Sequence, residues 1–166
     1  MGDKLITFFG SELTLFSLVF FVLGCIVGSF LNVVIHRLPR EMSILHPPSH
    51  CPQCGYSIPW YRNLPLITWL WQRGKCAGCE ARIPARYVLV EFLTGVAFLG
   101  AWLLVFLQFF GDRAPIEHPL IAAGVSMALV TLLAGLIAST FIDFEHFIIP
   151  DELTKGGMVM GLIFSV

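Results

Sequence analysis

A chain of 166 residues allows one domain, or one domain with a small added module. With 57% hydrophobic and only 13% charged residues, and a mean hydropathy of +0.82, it excludes an ordinary soluble domain, which carries about 25% charge. A net charge of −1 excludes the strong basic field of a nucleic-acid binder, so no nucleic-acid partner is expected.

Residues 13–35 form an uncharged apolar stretch. A spanning helix needs about 20 residues, so this stretch is read as a first transmembrane helix. It is longer than the apolar region of a secretory signal, about 7–15 residues, and no cleavage site with a hydrophilic start follows it. Cys25 is expected as a buried residue of this span, and Asn32 as a polar group near its inner end.

Residues 36–87 differ in kind. They hold four of the five cysteines, three of the four tryptophans and most of the prolines. Seven basic residues (Arg37, Arg40, Arg62, Arg73, Lys75, Arg82, Arg86) face only Glu41 and Glu80. Cys51-Pro52-Gln53-Cys54-Gly55 and Cys76-Ala77-Gly78-Cys79 read as two metal knuckles. In each, a tight turn lets two thiolates reach one ion, with Gly55 and Gly78 expected to relieve the turn. Four thiolates make a closed tetrahedral site, which is structural, and zinc is the expected ion. Two disulfides or four unrelated thiols are the alternative, but the paired spacing favours metal and a reducing compartment. A segment this small with little aliphatic side chain needs such a brace. Trp60, Tyr61, Trp69 and Trp71 are expected in the module's core or at the membrane interface.

Residues 88–110 form the second expected span, with Glu91 about one turn inside it. A polar turn at 111–118 follows, and Pro119 opens a third span over 119–142. Residues 143–155 return to water, beginning with Asp143. Asp151, just after Pro150, is an N-cap candidate worth about 1 kcal/mol to the helix that follows. Residues 156–166 begin a fourth apolar stretch too short to span, so the sequence is read as a fragment or truncated form.

The basic 36–87 module is expected on the cytoplasmic side, with the 111–118 turn outside and 143–155 cytoplasmic again. Arg73, Lys75, Arg82 and Arg86 are candidates to hold anionic lipid headgroups. The expected fold is therefore an all-α polytopic membrane protein. A small cytoplasmic, zinc-ribbon-like four-cysteine module is inserted between its first and second helices. No Gly-x-Gly-x-x-Gly loop follows a strand, which leaves no Rossmann-type nucleotide site. Ionisable groups inside spans are costly and often functional, which singles out Glu91. Asn32, Arg37 and Glu91 could converge near the inner ends of the first two spans. The plainer reading pairs Glu91 with Arg37 or Arg86 and bonds Asn32 to a neighbouring helix.

The strings Gly28-Ser29-Phe30-Leu31-Asn32 through Pro39, Cys51-Pro52-Gln53-Cys54-Gly55, Asn63-Leu64-Pro65, Trp69-Leu70, Arg73-Gly74-Lys75-Cys76, Arg86-Tyr87, Leu89-Val90-Glu91, Leu93-Thr94-Gly95, Ile149-Pro150-Asp151 and Leu153-Thr154 occur in a fixed order. Together with Asp143 they resemble the type IV prepilin leader peptidase/N-methyltransferase family over about residues 24–155. The resemblance implies a multi-pass protein of the bacterial inner membrane. It implies cleavage of the basic leader of type IV prepilins or pseudopilins after a glycine at the cytoplasmic face. It also implies methylation of the new N-terminal amine with S-adenosylmethionine. It makes Asp143 the first of two catalytic aspartates, and it makes Asn32, Arg37 and Glu91 candidates for the methyl-transfer site. The second aspartate of the family lies in a Gly-x-Gly-Asp motif on a later helix, and no such motif occurs in this sequence. Leader cleavage by this chain alone is therefore left open. A membrane-anchored zinc-ribbon protein that binds a partner without catalysis would explain the cysteines and the spans. It would give no reason for the string around Asn32 or for residues 143–154.

Overall fold

A computed structural model describes the backbone of residues 2–110 and 119–164, and the side chains of 14–108 and 124–164. The turn expected at 111–118 and the last two residues of the expected fourth helix lie outside the described residues. The described fold is all-helical, without a strand among those residues: α1 (Gly2–Arg37), α2 (Ile67–Trp71), α3 (Arg86–Phe110), α4 (Pro119–His146) and α5 (Asp151–Phe164), with short 3₁₀ turns at Leu38–Arg40 and Trp60–Arg62. Three helical segments, Thr14–Arg40, Arg86–Gln108 and Gly124–His146, are long and apolar enough to cross a membrane. Their outward faces carry Leu18, Ile26, Leu104, Leu107 and Leu132, all exposed. Such a surface suits lipid, which is as apolar as leucine.

The helices α1 and α3 run antiparallel, and small residues let their backbones touch. A Cβ added to Gly24 would lie 2.6 Å from the Thr94 carbonyl oxygen, and one on Gly28 would lie 2.7 Å from the Glu91 Cα. Across the seam, a Cβ on Gly95 would lie 2.6 Å from Cys25 Sγ, so the buried thiol fills the notch that this glycine leaves. Gly24 and Gly28 form a Gly-x-x-x-Gly pair, whose use is close helix approach in lipid. Further along, Trp102 stacks on Phe20 at 5.0 Å, and Phe92 meets Phe21 edge-on. Gly28→Val should wedge the pair apart, at a cost of about 3 kcal/mol. The measurement is the thermal midpoint of the detergent-solubilised protein, with lipid-facing Ile26→Val as the silent control. An unchanged midpoint for Gly28→Val would contradict the contact.

The third span closes a small core against this pair. Ala138 and Ile142 of α4 are fully buried against Leu31, Ile35 and Val90, with Leu153 of α5 packed at the edge. The helix α4 does not stop at the last apolar residue but continues through Asp143 to His146. Phe147 ends it at a positive φ of 55°, and Pro150 then precedes α5.

Candidate functional site

The four paired cysteines come together. Their sulfurs lie within 4.8 Å of one another, and two pairs that cross between the knuckles, Cys51–Cys79 and Cys54–Cys76, are each at 3.9 Å. A tetrahedral ion with metal–sulfur bonds of about 2.3 Å sets sulfur–sulfur edges of about 3.8 Å, so this donor set fits a thiolate-bound metal. The knuckles repeat one backbone plan. Cys51 N–H donates to the Tyr56 carbonyl, and Cys76 N–H to that of Ala81. Gly55 and Glu80 N–H close each turn on the first cysteine's carbonyl. The left-handed position of this plan is Gly55 in the first knuckle (φ 70°) but Glu80 in the second (φ 57°). Gly78, expected to relieve its turn, serves close approach instead: a Cβ there would lie 3.0 Å from Tyr56 Cβ and 3.3 Å from Cys54 Sγ.

The electrostatics of the cluster follow from its crowding. Backbone N–H groups of Cys54 and Gln53 favour the Cys51 thiolate and hold it down to about 6. The Ala81 N–H works the same way at Cys79. There, however, the Cys54 sulfur, partial burial and the Cys51 and Cys76 sulfurs outweigh it and push the thiol up to about 12. One thiolate forms readily and four do not, unless a cation among them stabilises the full set.

Between this module and the ends of α1 and α3 lies a cavity of about 300 Å³. Asn32, Arg37 and Glu91 all line it, with Ser29, His36, Arg62, Tyr56 and Tyr87 among its other walls. Arg37 is buried and spends its guanidinium on three loop carbonyls: Ser43 (3.0 Å), Ile44 (3.3 Å) and Pro47 (2.7 Å). It fixes the chain where it leaves α1 and makes no ion pair with Glu91. Asn32 Nδ2 donates to the Tyr87 carbonyl of α3 at 3.0 Å, while its Oδ1 is buried with no hydrogen-bond partner. A buried acceptor left this way costs about 1–3 kcal/mol until something donates to it.

Glu91 reaches in a direction its sequence position does not reveal. Its Oε2 accepts the Leu66 N–H at 2.8 Å, and the Ser29 hydroxyl also bonds the carboxylate. Leu66 sits at φ 59°, ψ −50°, and the Ile67 N–H closes on the Pro65 carbonyl at 2.6 Å. This is a γ-turn of the rarer, positive-φ kind, strained by about 1–3 kcal/mol, and the carboxylate helps to hold it. Nearby, Trp69 turns inward, donating to the Ile83 carbonyl at 3.2 Å and covering Gly74, where a Cβ would lie 2.9 Å from its ring. Trp60 and Trp71 remain outside.

Asp143 and Asp151 stand apart from the cavity lining. Asp143 is exposed in the last turn of α4, one residue after fully buried Ile142. Asp151 is the first residue of α5, its carboxylate held by Lys155 at 2.8 Å. Arg86, at the start of α3, is paired with Glu145 of α4 and lies over the Tyr87 ring. That ion pair and the Glu91–Leu66 bond were not anticipated from the sequence, since nothing local announces either. The Gly24/Gly28 spacing was a readable signal.

Residues 22–106, which include the cysteine cluster and the cavity walls, match the family model described as Bacterial Peptidase A24 N-terminal domain. The prepilin leader peptidase/N-methyltransferase of Myxococcus xanthus (strain DK1622) is 44% identical over 151 residues, covering 91% of this chain and 41% of the relative. The proteins of the same name from Aeromonas hydrophila and Neisseria gonorrhoeae are 35% and 34% identical over 175 and 170 residues. They cover 91% and 87% of this chain, and 55% and 54% of their own lengths. The chain thus spans about half the length of the curated relatives it matches. No solved structure matches it. With a cysteine cluster and a helix-bound cavity inside the matched region, and relatives of one name along most of its length, the chain belongs to the prepilin leader peptidase/N-methyltransferase family, of which it carries the bacterial peptidase A24 N-terminal domain.

Proposed function

We propose that this chain is the N-terminal part of a bacterial inner-membrane enzyme that removes the leader of type IV prepilins or pseudopilins and methylates the new N-terminus. The observation that carries this reading is similarity to relatives of that name over about nine tenths of the chain. The cysteine module then lies in the cytoplasm with the inner ends of α1 and α3, as its basic residues favour. Residues 13–35, 88–110 and 119–142 act as spans, 36–87 as the module, and 143–155 as the cytoplasmic segment with the first catalytic aspartate, its last residues opening α5. Zinc on Cys51, Cys54, Cys76 and Cys79 is structural, because four thiolates leave no open position.

Leader hydrolysis needs one ionised and one protonated carboxyl. Asp143 supplies one, at the end of α4, where the leader junction of a membrane-anchored substrate would meet it. The second belongs to the later part of the family's fold. For methyl transfer, S-adenosylmethionine supplies an electrophilic methyl group when bound. The residues here fit such a donor and an amine: Asn32 Oδ1 is buried without a hydrogen-bond donor, and the Glu91 carboxyl lines the same cavity. Asn32 would accept an N–H of the incoming amine, and Glu91 would draw off its proton. Arg37 keeps the rim in place through its three carbonyls.

The test uses a protein that includes both this chain and the part its relatives have beyond it, in membranes with a prepilin. Mass spectrometry reads loss of the leader and gain of one methylene. Glu91→Gln keeps an acceptor for the Leu66 N–H but removes the carboxyl that would take the proton. It should lower methylation by about 10²-fold while leaving cleavage within about twofold. Equal loss of both would point to folding. A prepilin left unprocessed by the unmodified protein would overturn the reading in favour of the partner-binding zinc-ribbon protein.

A further inference from the structure

We propose that the module does not stand above the bilayer but is sunk into its interface, with residues 60–71 seated in the headgroup and upper acyl region of the leaflet on the module's side. The argument starts from depth. The Leu66 N–H meets Glu91, five residues into α3, which is about 7.5 Å beyond the helix start. The Glu91 Cα lies against Gly28 of α1, nine residues before Arg37, or about 13 Å down that helix. The loop therefore lies against the first turns of α3, at the module's end of two helices long enough to cross a membrane. Non-helical backbone at that level is tolerated only where protein satisfies its polar groups, which is what Glu91 does for the Leu66 N–H.

The side chains on this loop agree with that position. Trp71 is 84% exposed, Trp60 80%, Leu70 64% and Ile67 60%. Ile67, Leu70 and Trp71 are spaced i, i+3, i+4 and share one face of α2, while Trp69 turns inward. Tyr61 and Leu64 extend the same apolar surface. In water this would be a liability, but at the bilayer boundary two tryptophans and a tyrosine are the preferred residues. Arg73 and Lys75 follow the segment directly and suit anionic headgroups. The loop that carries this face is bonded to α3, a helix long and apolar enough to cross a membrane, so the occupant is that membrane rather than a protein partner.

Tryptophan quenching tests this on the full chain in vesicles of phosphatidylethanolamine and phosphatidylglycerol. The acyl chains carry bromine near their headgroup end. The difference in emission between the parent and Trp60→Phe/Trp71→Phe isolates the two interfacial rings. The complementary Trp69→Phe/Trp102→Phe protein leaves only those rings and reads them directly, and a thermal midpoint equal to the parent's shows that each variant folds. Brominated lipid should remove at least about half of this emission, as burial of about 5–10 Å requires. Quenching by aqueous iodide but not by brominated lipid would place the module in water and overturn the proposal. Resistance to both quenchers would overturn it too, by showing that protein covers the face.

Discussion

Asp143→Asn, in a protein that also carries the family's later aspartate, is expected to lower leader cleavage by roughly 10²–10⁴-fold or more. The substitution keeps the size of the side chain and removes its ability to take or give a proton. Its structural cost should be small. Asp143 is exposed, and among the described residues no side chain is bonded to its carboxylate. Meanwhile Ile142 beside it anchors α4 in the core. Surface changes of this kind alter stability by about 0.5 kcal/mol or less. Expression and thermal midpoint should therefore match the parent, and methylation of a pilin supplied already cleaved should continue. Prepilin processing at the parental rate would remove Asp143 from the mechanism.

Loss of a cysteine should be as severe for the module as loss of Asp143 is for cleavage. Between residues 38 and 85 the only buried residues are Cys51, Gly74 and Cys76. The sulfur cluster is thus the module's core, and no aliphatic interior remains if it opens. Apparent binding energies of structural zinc are about 10–16 kcal/mol near neutral pH, far above what so few packed residues can supply. Cys76→Ser should lower zinc affinity by more than about 100-fold, beyond the loss seen for partners that merely orient a ligand. A strong chelator should do the same to the parent. Atomic emission would read about one zinc per chain before and almost none after. Fast amide exchange should then appear in 42–83 while α1 and α3 stay protected. Unchanged metal content in Cys76→Ser, or metal-free protein with Cys51–Cys79 and Cys54–Cys76 as disulfides, would reject the four-thiolate site.

The spans were legible because apolar length is a local property, and the knuckles because two thiolates on one turn demand a fixed spacing. The partners of the polar residues were not. Glu91 bonds a backbone group 25 positions earlier, and the sequence offered arginines as more obvious partners. Arg37 serves carbonyls, which every residue has, so no side-chain pattern could single them out. Asp143 marks where polarity returns but not where α4 ends, since the backbone stays helical through His146. Glu80 shows the same limit, since its left-handed turn is imposed by the knuckle plan rather than by a residue that prefers it.

The backbone contact of Gly24 and Gly28 with α3 has a further consequence for the metal. It pins together the two stretches of chain between which the module is strung, so the apo form would be a tethered ring and not a free coil. Closing a loop whose ends are already joined avoids most of the entropy that four scattered ligands would otherwise surrender. Stripped protein should therefore reload quickly and fully on return of the ion. Loading becomes a reversible event within a frame that the two joined helices maintain.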